Sequence, residues 1–159
     1  MEINIIAVAK IKEKYIQAGI EDFINRLQRF CDLNILEVKP EKIKSDLTGA
    51  QIEQVKTKEG QRILEKIPAT NYIIALSVYG KPMSSDGLAK SLKNLQLKGQ
   101  KKISFIIGGP LGLSEEVLNK VDYQLSLSHM TFTHQMIRLI FLEQIYRAFK
   151  IMNGEPYHK

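Results

Sequence analysis

Five times along this chain a short apolar run is followed by a stretch with helical spacing, and that alternation limits the fold more than any other feature. The runs are Ile3 to Val8, Asn34 to Val38, Tyr72 to Val78, Ile103 to Ile107 and Tyr123 to Leu127. After the first, Ile16, Ile20, Phe23, Ile24 and Leu27 recur as the apolar stripe of a helix. Gln51 to Ile67 does the same through Ile52, Val55, Ile63, Leu64 and Ile67, and Pro68 closes it. Ser84 or Ser85 caps a third helix that Gly99 stops. Ser114 caps a short fourth whose first turn carries Glu115 and Glu116. A parallel strand pair needs a crossover, so the series predicts an α/β domain: a mainly parallel sheet with helices on both faces. Tyr72 to Val78 is apolar enough to be buried on both of its faces. Gly60 lies inside the second helix, where glycine costs roughly 1 kcal/mol relative to alanine, and so points to a close neighbour.

No repeat, low-complexity segment or long linker divides the 159 residues, and 44% hydrophobic content suffices for one core. A single domain spanning residues 1–159 is expected. No run approaches the roughly 18 apolar residues of a membrane span, and MEINIIAVAKIK lacks the order of a signal peptide. These features predict a cytoplasmic protein with no membrane partner. The one cysteine, Cys31, leaves no internal disulfide; with three scattered histidines it makes no metal-ligand spacing, so no metal is expected. Cys31 reads as packing at a helix end. A formal charge of +6 favours an anionic partner, with nucleic acid the first candidate, without choosing among RNA, DNA and a small molecule. Lys39 to Ala50, with Lys39, Lys42 and Lys44, reads as an exposed loop whose lysines are solvated or touch phosphate.

Ligands of parallel sheets bind beyond the carboxyl ends of the strands. Here those ends are Ala75 to Gly80, Gly108 to Gly112 and Leu127 to His134. In GGPLG, three glycines let the backbone approach a ligand closely. The spacing matches neither the dinucleotide fingerprint nor the phosphate loop, so by itself it reads equally as a tight turn or a ligand loop. Ser126, Ser128, Thr131 and Thr133 interleave with Leu127, Met130 and Phe132, which places backbone polar groups beside an apolar floor suited to a flat heterocycle. Thr133 also reads as a helix cap. His134 lies at the helix start, where the dipole favours the neutral ring. It either accepts a proton or bonds the backbone, and the structural role carries more weight. His129 reads as an exposed loop residue.

From about His134 the chain is helical. Phe141, Leu142, Ile145, Phe149 and Met152 share one face, with Arg138 in its middle. A guanidinium keeps its charge, so Arg138 requires an anion, a carbonyl cluster or a subunit edge. The opposite stripe, Glu143, Gln144, Arg147 and Lys150, is interrupted by Ile140 and Ile151, which predicts contact on two sides. In the tail NGEPYHK, Tyr157, His158 and Lys159 combine a ring that stacks on an unpaired base with cations for its phosphates. The alternative is a frayed terminus.

KEGQRIL (residues 58–64), IIGGPLGL (106–113), MTFTHQMIRLIFLEQIYRAFKI (130–151) and the terminal PYHK closely resemble the ribosomal RNA large subunit methyltransferase H family. These are SPOUT-class enzymes that use S-adenosylmethionine (SAM), and the resemblance covers essentially the whole chain. It implies a C-terminal segment threaded into a deep trefoil knot, which general rules of chain connection argue against. It also implies a homodimer that methylates N3 of a pseudouridine in 23S rRNA of the assembled ribosome, with SAM as donor, no metal and no DNA partner. By position, the family's SAM contacts fall on Leu76, Gly108, Leu127, Ser128, His129, Met130, Thr131 and Phe132. The groups around its target base fall on His134, Arg138, Tyr157 and His158. Thr133 stands where proline usually precedes the histidine, and Pro110 and Leu111 occupy a variable part of the loop. Lys159 stands where arginine is common, keeping the charge without the bidentate fork. Two rivals remain at this level: a ribosome-binding module without activity, and a nucleotide-binding enzyme acting on a small molecule.

Overall fold

The computed structural model describes residues 1–157. Its elements are β1 (Glu2–Val8), α1 (Lys14–Leu27), β2 (Asp32–Val38), α2 (Gly49–Lys66), β3 (Tyr72–Pro82), α3 (Ser85–Leu97), β4 (Lys102–Ile107), α4 (Glu115–Leu118), β5 (Tyr123–Ser126) and α5 (Met136–Met152). The five strands form one sheet in the order β2-β1-β4-β3-β5, and every neighbouring pair is parallel. All the carboxyl ends therefore lie along one edge.

Side chains alternate along each strand, so the sheet has two buried faces. Ile3, Ile5 and Ala7 of β1 and Ile103, Phe105 and Ile107 of β4 pack with α1, α3 and α5. There Phe105 meets Phe141 edge to face, ring centroids 4.7 Å apart. Ile6, Val8 and Ile106 point the other way, onto Ile63 of α2 and Val117 of α4. Helices cover both faces, as the alternation predicts. Cys31 is buried just beyond α1, and burial pushes its thiol up to about 11, which makes it an inert packing residue.

β3 departs from expectation. It continues through Tyr79 and Gly80 to Pro82, with a shift of register against β5 between Leu76 and Lys81. A Cβ on Gly80 would come 2.7 Å from the main-chain carbon of Leu125, so the two backbones approach where only glycine fits. Of this strand only Ile74 and Ala75 are fully buried, and Val78 and Tyr79 are exposed. The short β5 is too brief to cover the far half of β3.

The junction of β5 and α5 also differs by a few residues. β5 ends at Ser126, because Ser126 Oγ donates to the Ser128 carbonyl at 3.0 Å and Ser128 Oγ accepts from Met130 N at 2.9 Å. These local bonds replace the sheet ladder. Regular helix begins at Met136, two residues later than the spacing suggests. Its N-cap is Gln135, which makes no side-chain cap bond, not Thr133; Thr133 closes the turn before it, its Oγ1 accepting from Met136 N at 3.2 Å and its carbonyl from Ile137 N at 3.0 Å.

Every residue of α5 is buried or half-buried. Within the chain it packs against α1 and α3; of the two isoleucines that interrupt its polar stripe, Ile151 joins the core cluster and Ile140 does not. The tail does not fray before Tyr157: Glu155 pairs with Arg29, just beyond α1, at 2.6 Å and with Lys150 of α5. No helix of the described residues is long and apolar enough to cross a membrane.

Candidate cofactor pocket

A cavity of about 420 Å³ opens at the carboxyl ends of β3, β4 and β5. Leu76 to Tyr79 form one wall, the turn from Gly108 to Gly112 a second, and Leu127, Ser128 and Met130 to Phe132 a third. His134 and Ile137 close the side toward α5, and Lys56 reaches in from α2. The three strand ends marked in the sequence thus meet in one place. Of the eight residues aligned with SAM contacts, all but His129 line this cavity; His129 is exposed beside it.

The glycine segment is a tight turn. Gly112 N donates to the Gly109 carbonyl at 3.0 Å, and Gly112 takes a positive φ of 86°, so the chain reverses tightly. A Cβ on Gly108 would come 3.0 Å from the main-chain carbon of Gly112. The bare backbone is at the same time a cavity wall. α2 and α4 hold the turn from behind, since a Cβ on Gly60 would overlap the hydroxyl of Ser114, the cap of α4. That is the close neighbour which Gly60 implied.

His134 is the histidine on the cavity wall. Burial first, and then the charges of Arg138 and Lys12, hold its ring below the ordinary histidine value, so it is neutral near pH 7. A neutral ring has one nitrogen free to accept a proton.

Arg138 lies elsewhere. It is 2% exposed, with Nη1 3.1 Å from Glu37 Oε1 and Nη2 donating to the carbonyls of Val8 and of Ala9, the latter at 2.7 Å. The anion and the carbonyl cluster that it requires are therefore both inside the chain. It borders a second cavity of about 510 Å³, between α1, β2 and α5, together with Lys10, Glu21 and Glu37.

Tyr157 is placed apart from both cavities. Its ring meets Tyr146 edge to face at 5.0 Å, Arg147 lies 4.8 Å above it, and its hydroxyl donates to Glu143 Oε1 at 3.2 Å. Arg147 also pairs with Glu143. His158 and Lys159 lie outside the described residues. Nothing in the sequence singles out Lys56, and Glu143 and Arg147 belong to the interrupted polar stripe of α5. Only the spacing of Glu143 and Arg147, one helical turn apart, signalled that they pair. Among the described residues no group of three or more His, Cys, Asp or Glu is arranged to hold a metal ion.

An all-parallel sheet with a glycine-walled cavity at its carboxyl edge is the frame of an α/β ligand-binding enzyme. The family model described as "Predicted SPOUT methyltransferase" matches residues 1–158. Curated relatives narrow this further. The ribosomal RNA large subunit methyltransferase H of Halothermothrix orenii is 62% identical over 159 residues, all of both chains, and that of Clostridioides difficile is 54% identical over the same span. The chain belongs to the ribosomal RNA large subunit methyltransferase H family of SPOUT methyltransferases. Among solved structures, the tRNA (m1G37) methyltransferase of Aquifex aeolicus superposes with a TM-score of 0.54 at 14% identity, covering 100% of this chain and 74% of that one. A probable methylase family protein of Haemophilus influenzae gives 0.53 at 15% identity, over 96% and 66%. At such identities the likeness is one of fold.

Proposed function

We propose that this chain is a SAM-dependent methyltransferase that methylates N3 of a pseudouridine in 23S rRNA of the assembled ribosome. In this reading residues 1–159 act as one domain in a cytoplasmic homodimer, without a metal, and the C-terminal segment carries the family's trefoil knot. The observation that carries it is the cavity in which Leu76, Gly108 and the segment from Leu127 to Phe132 converge. The cavity suits the donor. Its volume lies in the range of small-molecule sites, its lining is largely apolar, and Gly108 and Gly112 leave main chain bare where a side chain would intrude.

Bound there, SAM supplies an electrophilic methyl group on its sulfonium. The remaining task of the protein is alignment and proton removal. Leu76, Leu127 and Phe132 would hold the apolar part of the donor, and main-chain groups of the glycine turn and of Ser128 to Thr131 would offer it hydrogen bonds. His134, neutral and on the cavity wall, accepts the N3 proton of the acceptor base directly or through water. Arg138 is a positioning residue here: it fastens the first turn of α5 and, after burial, adds to what holds the His134 ring below the ordinary histidine value. Tyr157 does not reach the cavity of its own chain, so in the homodimer the tail with Tyr157 and His158 serves the pocket of the partner protomer.

The test is mass spectrometry of rRNA nucleosides after incubating the purified protein with SAM and ribosomes from a strain lacking the gene. A new methylpseudouridine in 23S rRNA is expected. Unmodified pseudouridine under conditions where SAM binds would refute the reading.

A further inference from the structure

Glu59 is a carboxylate in the wrong place for a solvated helix. It points inward from α2 and is 2% exposed. Oε1 accepts the main-chain N–H of Glu41 at 2.9 Å. Oε2 has no hydrogen-bond partner among the described residues. It lies under the glycine turn, 2.9 Å from where a Cβ on Gly109 would stand. Val8 packs at the same point, with Cγ1 3.2 Å from that position.

A buried carboxylate is weak evidence for stability, since an apolar side chain of similar volume often packs as well or better. Its geometry here serves connection. One oxygen faces the bare side of Gly109 in the turn that walls the cavity. The other holds the root of the loop from Lys39 to Asp46, whose Lys42, Ile43 and Lys44 are exposed. The same root is gripped from α2 by Arg62, which donates to the Lys39 carbonyl at 2.8 Å and pairs with Glu41. Because a carboxylate is rigid and planar, displacing Oε2 also turns Oε1. With no side chain on Gly109, Oε2 faces the bare side of the turn at a point where a Cβ would stand only 2.9 Å away.

We propose that Glu59 is a positioning residue that couples the glycine turn to the basic loop from Lys39 to Asp46, so that SAM in the cavity orders the loop for the rRNA phosphate backbone. This rests on the reading that the cavity takes SAM and that the acceptor is RNA. Because coupling between sites is reciprocal, engagement of the loop by rRNA tightens SAM binding by the same factor.

Amide hydrogen exchange on the whole protein, with and without saturating SAM, tests the coupling. SAM is expected to slow the amides of Gly109 and Gly112, and to slow that of Glu41 by about fivefold or more, the low end of measured couplings between sites. Glu59→Ala is expected to abolish the Glu41 response while leaving that of the turn, and Glu59→Gln, which keeps the shape and one acceptor, to restore it. If SAM slows Gly109 and Gly112 in the wild-type protein but leaves Glu41 unchanged, the coupling is overturned and the donor reading stands. That arm decides the matter even if Glu59→Ala does not fold. If SAM slows neither segment and does not bind, both readings fall together.

Discussion

The guanidinium of Arg138 stands 3.1 Å from the carboxylate of Glu37 and ties the first turn of α5 to the last residues of β1 and β2. The pair joins residues 101 positions apart, and Arg138 is almost completely shielded from water. Removing one member of such a pair leaves the other charge and the carbonyls of Val8 and Ala9 without their partner. Arg138→Ala is therefore expected to destabilise the protein by about 3–5 kcal/mol in urea unfolding. Arg138→Lys should recover only part of this, because one ammonium cannot serve all three acceptors in the geometry of the fork. Wild-type stability in Arg138→Ala would show that the cluster contributes nothing.

Ala9, one of those acceptors, has a φ of 70°, the left-handed region that a Cβ disfavours. Its carbonyl must face Arg138 while its N–H donates to the Val38 carbonyl at 2.9 Å, and the two bonds together hold the strained conformation. Ala9→Gly removes the steric cost and adds freedom to the unfolded chain, opposing effects of which the first is larger. A net gain of about 0.5–1 kcal/mol is expected from the urea midpoint at unchanged slope.

Gly60 gives a test whose sign separates two explanations. On an open helix face, glycine to alanine would stabilise by roughly 1 kcal/mol. Here the new methyl group would overlap the Ser114 hydroxyl and stand 3.2 Å from Val117 Cγ2, both at the start of α4. Gly60→Ala is expected instead to cost about 1–3 kcal/mol, as overpacking does. It should also weaken SAM binding in calorimetry, because α4 follows directly on the glycine turn.

These residues also show how far the sequence could be read. The cost of a helical glycine is a local fact, so Gly60 announced a neighbour without naming it. The alternation of strands and helices is likewise local, and it led to the parallel sheet and to the three strand ends that line the cavity. The partners of Arg138 and Glu59 depend on how elements cross, and no spacing in the chain encodes that Glu37 or the Glu41 N–H will be within reach. β3 runs past its apolar segment for a related reason. Tyr79, Gly80, Lys81 and Pro82 have the composition of a turn, yet Gly80 is there to let the strand run on against the main chain of β5.

His134 should leave a mark on the pH dependence of stability. Its folded value is lowered, chiefly by burial and then by Arg138 and Lys12, so the unfolded chain binds a proton more readily than the folded one. Stability then rises with pH between the lowered value and about 6.5, the ordinary histidine value, and is lost as pH falls through that window. His134→Gln is expected to flatten this part of the curve in urea midpoints measured across it. The same slope in the variant would assign the effect to another group. If the ring is also the proton acceptor, the acid limb of methyl transfer lies below that ordinary value.

Tyr157 allows packing and chemistry to be separated by one atom. Burial first, and then the neighbouring Glu143, raise its phenol above the ordinary value, so at working pH it is a protonated hydrogen-bond donor. Tyr157→Phe keeps the ring against Tyr146 and under Arg147 and deletes only the bond to Glu143. The stability cost is expected to be about 1 kcal/mol or less, the net worth of one hydrogen bond. SAM affinity should be unchanged, since Tyr157 does not line the cavity. Methyl transfer to ribosomes should nevertheless fall by roughly a hundredfold or more, the low end of the range for loss of a positioned acid–base group. A purely structural role predicts small changes in stability and rate alike, so wild-type turnover in Tyr157→Phe would remove the hydroxyl from the acceptor side of the site.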